Sequence, residues 1–252
     1  MVGSAFLLFN NEKIYPTKRL LLIVKINPKQ LAAEKAVEFV RNGMIVGLGT
    51  GSTVFYALKK LGALVQSREL DIIGIPSSIQ TEKIAKKFKI PLCSLNEYPE
   101  IDITIDGADE IDKNLNLIKG HGGGALLREK ILAKCSKKEI IVADCSKLVS
   151  VLGEKVPVPV EVLQFSWHVT AKELTEIGCE QEPILRKTCG KIFVTDNKNY
   201  ILDCKFKNIS IPKKTEAEIN SITGVVENGL FVGLADIAIV SSSKGVKIFE
   251  KT

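Results

Sequence analysis

Histidine and tryptophan are scarce in this chain, with two and one respectively among 252 residues, and the six cysteines form no C-x-x-C pair. With no H-E-x-x-H motif and no Cys/His cluster, the ligands of a zinc site are missing, and chemistry without a metal or other cofactor is expected. Cysteines at 93, 135, 145, 179, 189 and 204 follow no regular spacing, which suits reduced thiols in the cytoplasm better than a disulfide framework. Long apolar runs are also absent. The stretches AFLLF and LLLIV within residues 1–27 fall far short of the roughly 20 residues that span a bilayer, so no membrane partner is expected. Those first 27 residues lack the order of a signal peptide and are set apart as an N-terminal extension of unassigned role. No block of Lys and Arg is interleaved with aromatics, which argues against nucleic acid as a partner. The net charge of +6 is scattered, and it favours a small anion such as a phosphorylated metabolite.

What the chain does contain is an alternation of strand and helix patterns. Asn27-Pro28 opens a helix, KQLAAEKAVEFVRNG, that should run to Asn42-Gly43 and that carries Lys29 in its first turn. MIVGLGTGSTVFYALKKL then reads as strand, glycine turn and helix. Gly49, Thr50, Gly51, Ser52 and Thr53 supply hydroxyls and helix N-terminal N–H groups that can cradle a phosphate. DIIGIPSS, PLCSL and EIIVAD read as further strands, the last leading to Lys147. Ser77 and Ser78 fit best as caps of the helix that follows them. Crossovers of this kind predict an α/β fold with a doubly wound, mostly parallel, Rossmann-like sheet in residues 28–155 and 228–252. Between them, residues 156–227 change to hairpin and helix signals and read as a smaller α+β domain.

The chain centres on IDITIDGADEIDKNLNLIKGHGGGALLREK, residues 101–130. A strand delivers Asp106 and Asp109 at its carboxyl end, separated by the small Gly107 and Ala108, and a second strand ends on Lys119. Gly120, His121 and Gly122 begin a glycine turn into a helix expected over about 125–137. On that helix Glu129 has Ala125, Leu126, Leu132 and Ala133 as its neighbours, while Arg128 and Lys130 should point elsewhere. An apolar setting raises a carboxyl pKa toward neutrality, as a general base that must return its proton requires.

DGADE, IKG with its glycine run, ALLREKI and VADCSKLV together resemble the type A ribose 5-phosphate isomerases, over residues 29–236. That resemblance implies a ferredoxin-like second domain and interconversion of D-ribose 5-phosphate and D-ribulose 5-phosphate through an enediolate, in the non-oxidative pentose phosphate pathway. It implies Glu129 as base, Lys119 as oxyanion partner, Asp106 for the hydroxyl proton or ring opening, and Asp109 for substrate hydroxyls. Lys29, the TGST turn and Lys147 would hold substrate, with His121 beside them, in a homodimer or homotetramer. The turn from Lys119 to Glu129 is one glycine longer than the family pattern. Two other readings compete. GLGTGST with Glu69 some twenty residues on could mark a dinucleotide or methyl-donor site, and related sheets serve as sugar-phosphate sensors.

Overall fold

The computed structural model describes residues 13–15 and 27–251, so the N-terminal extension lies almost wholly outside the described residues. In chain order the first half contains β1 (Lys13–Tyr15), α1 (Pro28–Val37), β2 (Ile45–Leu48), α2 (Val54–Gln66), β3 (Ile73–Pro76), α3 (Ile79–Lys87), β4 (Ile103–Gly107), β5 (Glu110–Ile111), β6 (Leu117–Ile118), α4 (Leu126–Cys135) and β7 (Glu139–Asp144). There follow β8 (Val158–Val162), α5 (Trp167–Glu176), β9 (Ile184–Leu185), β10 (Lys187–Thr188), β11 (Lys191–Ile192), β12 (Tyr200–Cys204), α6 (Pro212–Asn220), β13 (Val225–Asn228), β14 (Leu230–Phe231), β15 (Ile237–Ser242) and β16 (Gly245–Glu250).

The main sheet has the order β1-β16-β15-β7-β4-β2-β3. Its five strands from β15 to β3 are parallel, and β16 runs antiparallel at one side. The parallel strands are buried on both faces, which is why they read as unbroken apolar runs. From β2 the chain moves outward to β3, then returns to β4 on the other side of β2 and continues away through β7 and β15. The order therefore reverses between β2 and β4, and the crevice at their carboxyl ends is where such sheets bind ligands.

Helix α1 starts as read, with Asn27 accepting from Lys29 N at 3.1 Å, but it ends at Val37. Beyond Val37 the bonds Phe39 N to Ala36 O and Val40 N to Val37 O tighten the chain into turns before Asn42. PLCSL is not a strand; it contributes only the bridge from Leu92 to Gly74. The second sheet, β13-β8-β12-β9, is antiparallel with α5 and α6 beside it. Numbered within its own β-α-β-β-α-β run, its strand order is 4-1-3-2, the ferredoxin-like arrangement. A third, three-stranded sheet, β14-β6-β5, fixes the strand β6, which ends at Ile118, one residue before Lys119.

Candidate active site

Asp106 sits at the switch point as the penultimate residue of β4, which ends at Gly107. Its carboxylate is hidden, with Oδ1 accepting from Thr50 N at 3.1 Å and Gly107 N at 2.7 Å, and Oδ2 2.9 Å from Lys119 Nζ. Gly49 makes this possible, since a Cβ there would stand 2.1 Å from Asp106 Oδ1. The glycine turn after β2 is thus tied to β4 through one side chain. Asp106 does not reach the cavity above it. Its engagements hold Lys119, the Thr50 N–H and the Gly107 N–H in place, which is a positioning arrangement.

Lys119 is buried and bonds to Gly107 O at 2.5 Å, while its Nζ lies 3.3 Å from Glu129 Oε2 and 5.3 Å from the centre of the Phe231 ring. Burial opposes its charge, but Asp106 and then Glu129 outweigh burial and hold the ammonium above its usual pKa. Glu129, on the first turn of α4, is 5% exposed. Burial, then the negative charge of Asp106, push its carboxyl up to about 8, against the pull of Lys119. The 3.3 Å contact is in ion-pair range but off hydrogen-bond geometry, so Oε2 has no hydrogen-bond donor among the described residues. A carboxylate so placed keeps a lone pair for an incoming proton.

Glu129 and Lys119 border a cavity of about 110 Å³ whose other walls are Lys29, Thr50–Thr53, Gly107–Asp109, Gly120, Gly122–Ala125, Ala143 and Lys147. Lys29 Nζ donates to Ser52 Oγ at 2.9 Å. Phe55 N bonds to Gly51 O at 3.0 Å and Tyr56 N to Thr53 O at 3.1 Å, which winds the turn onto α2 and brings the positive end of that helix to the same cavity. Three lysines and a helix N-terminus around a space of this size favour one phosphate. Among the described residues no group of three or more His, Cys, Asp or Glu could hold a metal ion.

Several expected residues take other parts. The Thr50 hydroxyl lies within 2.8–2.9 Å of Ser77, Ser78 and Thr81, and its N–H goes to Asp106, so Thr50 pins the turn rather than offering donors to a ligand. Ser78 caps α3 as read, accepting from Thr81 N at 3.0 Å. His121 faces away from the cavity, with Nε2 2.8 Å from Pro157 O, and its own N–H goes to Asp109 Oδ2 at 3.0 Å. Asp109 borders the cavity but also lies 4.0 Å from Lys147 Nζ. Two acids of the central stretch are structural: Glu110 accepts from the N–H groups of Gly153, Lys155 and Val156, and Asp112 from those of Asn114 and Asn116. Lys130 does not point to solvent. It is buried with Nζ 3.1 Å from Glu216 and 2.8 Å from Glu227, because α6 and β13 cover α4. Glu69 is exposed before β3 rather than at a strand end, which removes the acid a dinucleotide site requires. Sequence reading gave no part in the site to Phe231, or to Ala143 and the buried Glu139 of the EIIVAD strand, because sheet pairing rather than local spacing brings them together.

A larger cavity, about 790 Å³, lies between α3, α4 and residues 92–97, but it lacks a buried acid–base pair. Residues 73–245 match the family model for ribose 5-phosphate isomerase A (phosphoriboisomerase A). Ribose-5-phosphate isomerase A of Bacillus mycoides is 53% identical over 223 residues, covering 88% of this chain and 99% of that protein. Ribose 5-phosphate isomerase from Plasmodium falciparum superposes with a TM-score of 0.85 at 46% identity, over 89% of this chain and 98% of the other. A D-ribose-5-phosphate isomerase in complex with phospho-erythronic acid superposes with a TM-score of 0.84 at 43% identity, over 88% and 97%.

Proposed function

The chain belongs to the ribose 5-phosphate isomerase A family, and from that membership we infer that it is an aldose–ketose isomerase interconverting D-ribose 5-phosphate and D-ribulose 5-phosphate. The observation that carries the chemistry is Glu129: a buried carboxylate with a raised pKa, one oxygen without a hydrogen-bond donor, on the wall of a cationic cavity. In this reading Lys29, the Gly51–Thr53 backbone and Lys147 hold the phosphorylated substrate. Glu129 removes the C2 proton of the open-chain aldose and returns it to C1, while the O2 proton passes to O1 of the enediolate, so that the carbonyl moves from C1 to C2. Lys119, kept charged by Asp106, stabilises the oxyanion that develops between these steps, an electrostatic contribution of about 3 kcal/mol for one donor. Asp106 acts by positioning Lys119 and Thr50, and Asp109 shares its carboxylate between His121 and the substrate hydroxyls.

The deciding experiment incubates purified protein with D-ribose 5-phosphate in excess chelator, beside Glu129→Gln. Conversion by the wild type that the substitution abolishes supports both the reaction and its base; equal turnover in the variant removes Glu129 from the mechanism. We further propose that residues 28–155 with 228–252 and residues 156–227 form two domains, and that the chain assembles as a homodimer or homotetramer. Exposed Phe165, Val169, Ile184 and Ile211 on the second unit support a self-association surface. Sedimentation as a monomer at micromolar concentration would remove the second claim. We also propose a cytoplasmic location, which the six free cysteines support and fractionation tests.

A further inference from the structure

The turn that joins Lys119 to the helix of Glu129 has little shape of its own. Gly120, Gly123 and Gly124 have φ of +103°, +135° and +65°, and the bond across the turn, Gly124 N to Gly120 O, is long at 3.3 Å. A segment so rich in glycine has many backbone states open to it, and something outside must select one. The second sheet supplies that constraint. Arg186, just after β9, donates from Nη1 to Gly120 O at 2.6 Å. The other edge of its guanidinium is held by Asp203 on β12, through Nε to Oδ2 at 3.0 Å and Nη2 to Oδ1. The Phe193 ring presses on the far end of the turn, where a Cβ on Gly124 would stand 2.5 Å from ring Cε1. At Arg128, one residue before the base, Nε donates to Asn197 Oδ1 at 2.9 Å.

We propose that Arg186 is a positioning residue of the isomerisation: squared by Asp203, it fixes the Gly120 carbonyl and so sets the cavity wall that leads into the helix of Glu129. The planar fork suits this task, because one edge grips a carboxylate while the remaining N–H reaches a carbonyl in a set direction. A lysine can keep the charge near Asp203 but cannot hold both acceptors in one plane. The proposal rests on the isomerase reading of the site and extends it to a residue that does not line the cavity.

The test measures kcat and KM for D-ribose 5-phosphate, the pH profile and the circular dichroism of wild type, Arg186→Met, Arg186→Ala and Arg186→Lys. Misplaced groups cost rate rather than binding, so kcat of Arg186→Met should fall about 10–100-fold with KM changed less than about threefold and the midpoint of the pH profile unmoved. Guanidinium ion at about 50 mM should restore part of the kcat of Arg186→Ala by refilling the fork. Should the Met and Ala variants fail to fold, Arg186→Lys decides, with an expected loss of about fivefold or more. A kcat within about twofold of wild type in a folded variant overturns the proposal, as does a loss that tracks only the unfolded fraction. An inactive wild type instead overturns the isomerase reading, so the two failures are distinct.

Discussion

Glu129 and Glu139 are two buried acids, ten positions apart in the chain and close enough for the charge of Glu129 to act on Glu139, and titration separates their roles. Glu129 must be ionised to accept a proton, so kcat/KM should rise about tenfold per pH unit on the acid side and level off above about 8. A profile already flat from pH 6 would mean that the base titrates lower and that burial is not setting its affinity. Glu139, opposite Thr104 in the sheet, has both carboxyl oxygens buried without a hydrogen-bond partner among the described residues. Burial first, then Asp106, raise its pKa well above normal, with Glu129 and Asp236 adding to the effect and Lys119 opposing it. Above about pH 4.5 the unfolded chain ionises this group while the folded chain keeps it neutral, so stability falls as pH rises toward the folded value, by about 1.4 kcal/mol per unit at most. Replacing it by Gln removes that slope. The gap in Tm between Glu139→Gln and wild type should widen from pH 5 to pH 7, and parallel curves would show that Glu139 is ionised in the folded state.

At the scale of elements, helix α4 joins the two larger sheets. Its apolar residues pack on the main sheet, and Lys130 crosses to α6 and β13, with its Nζ also 5.0 Å from the centre of the Phe231 ring. Lys119 lies near the same ring, so Phe231 fills the space between the cation of the site and the cation of the interface. Lys130→Met should lower stability by about 2–3 kcal/mol, less than for a fully buried pair because Glu216 and Glu227 retain some exposure. Chemical denaturation measures this, and a change below about 0.5 kcal/mol would place the ion pairs among those that contribute nothing. The sequence made the helix visible through Leu126, Leu132 and Ala133, and with it the buried side of Glu129. Lys130 points away from that face, as its spacing requires, but helical spacing reports one packed face and does not tell that a second element covers the other. The short β5, β6 and β14 were equally hard to delimit, since two-residue strands carry no period of their own.

For the molecule as a whole, the cavity at the switch point and the overall positive charge act together. The net +6 and the lysines at 29, 119 and 147 should draw in a dianionic substrate, so KM is expected to rise with added salt while kcat stays nearly constant. D-Ribose 5-phosphate at about 100 times its Kd should stabilise the fold by about 2.7 kcal/mol, read as a rise in Tm, and Glu129→Gln should keep most of that rise. No rise at saturating ligand would show that the anion does not bind the folded chain.

The chain's own order of residues determined the strand-and-helix alternation, the glycine turn after β2, the acids at the end of β4 and the placement of Glu129 on an apolar helix face. These follow from periods and turn chemistry that act within a dozen residues. Only the tertiary structure decided that Asp106 is spent on Lys119 and Thr50, that the Thr50 hydroxyl and His121 turn from the cavity, and that Arg186 reaches across 66 positions to Gly120. Which lone pair or N–H remains for substrate depends on partners that sheet order brings together from distant segments, and no local pattern encodes that competition.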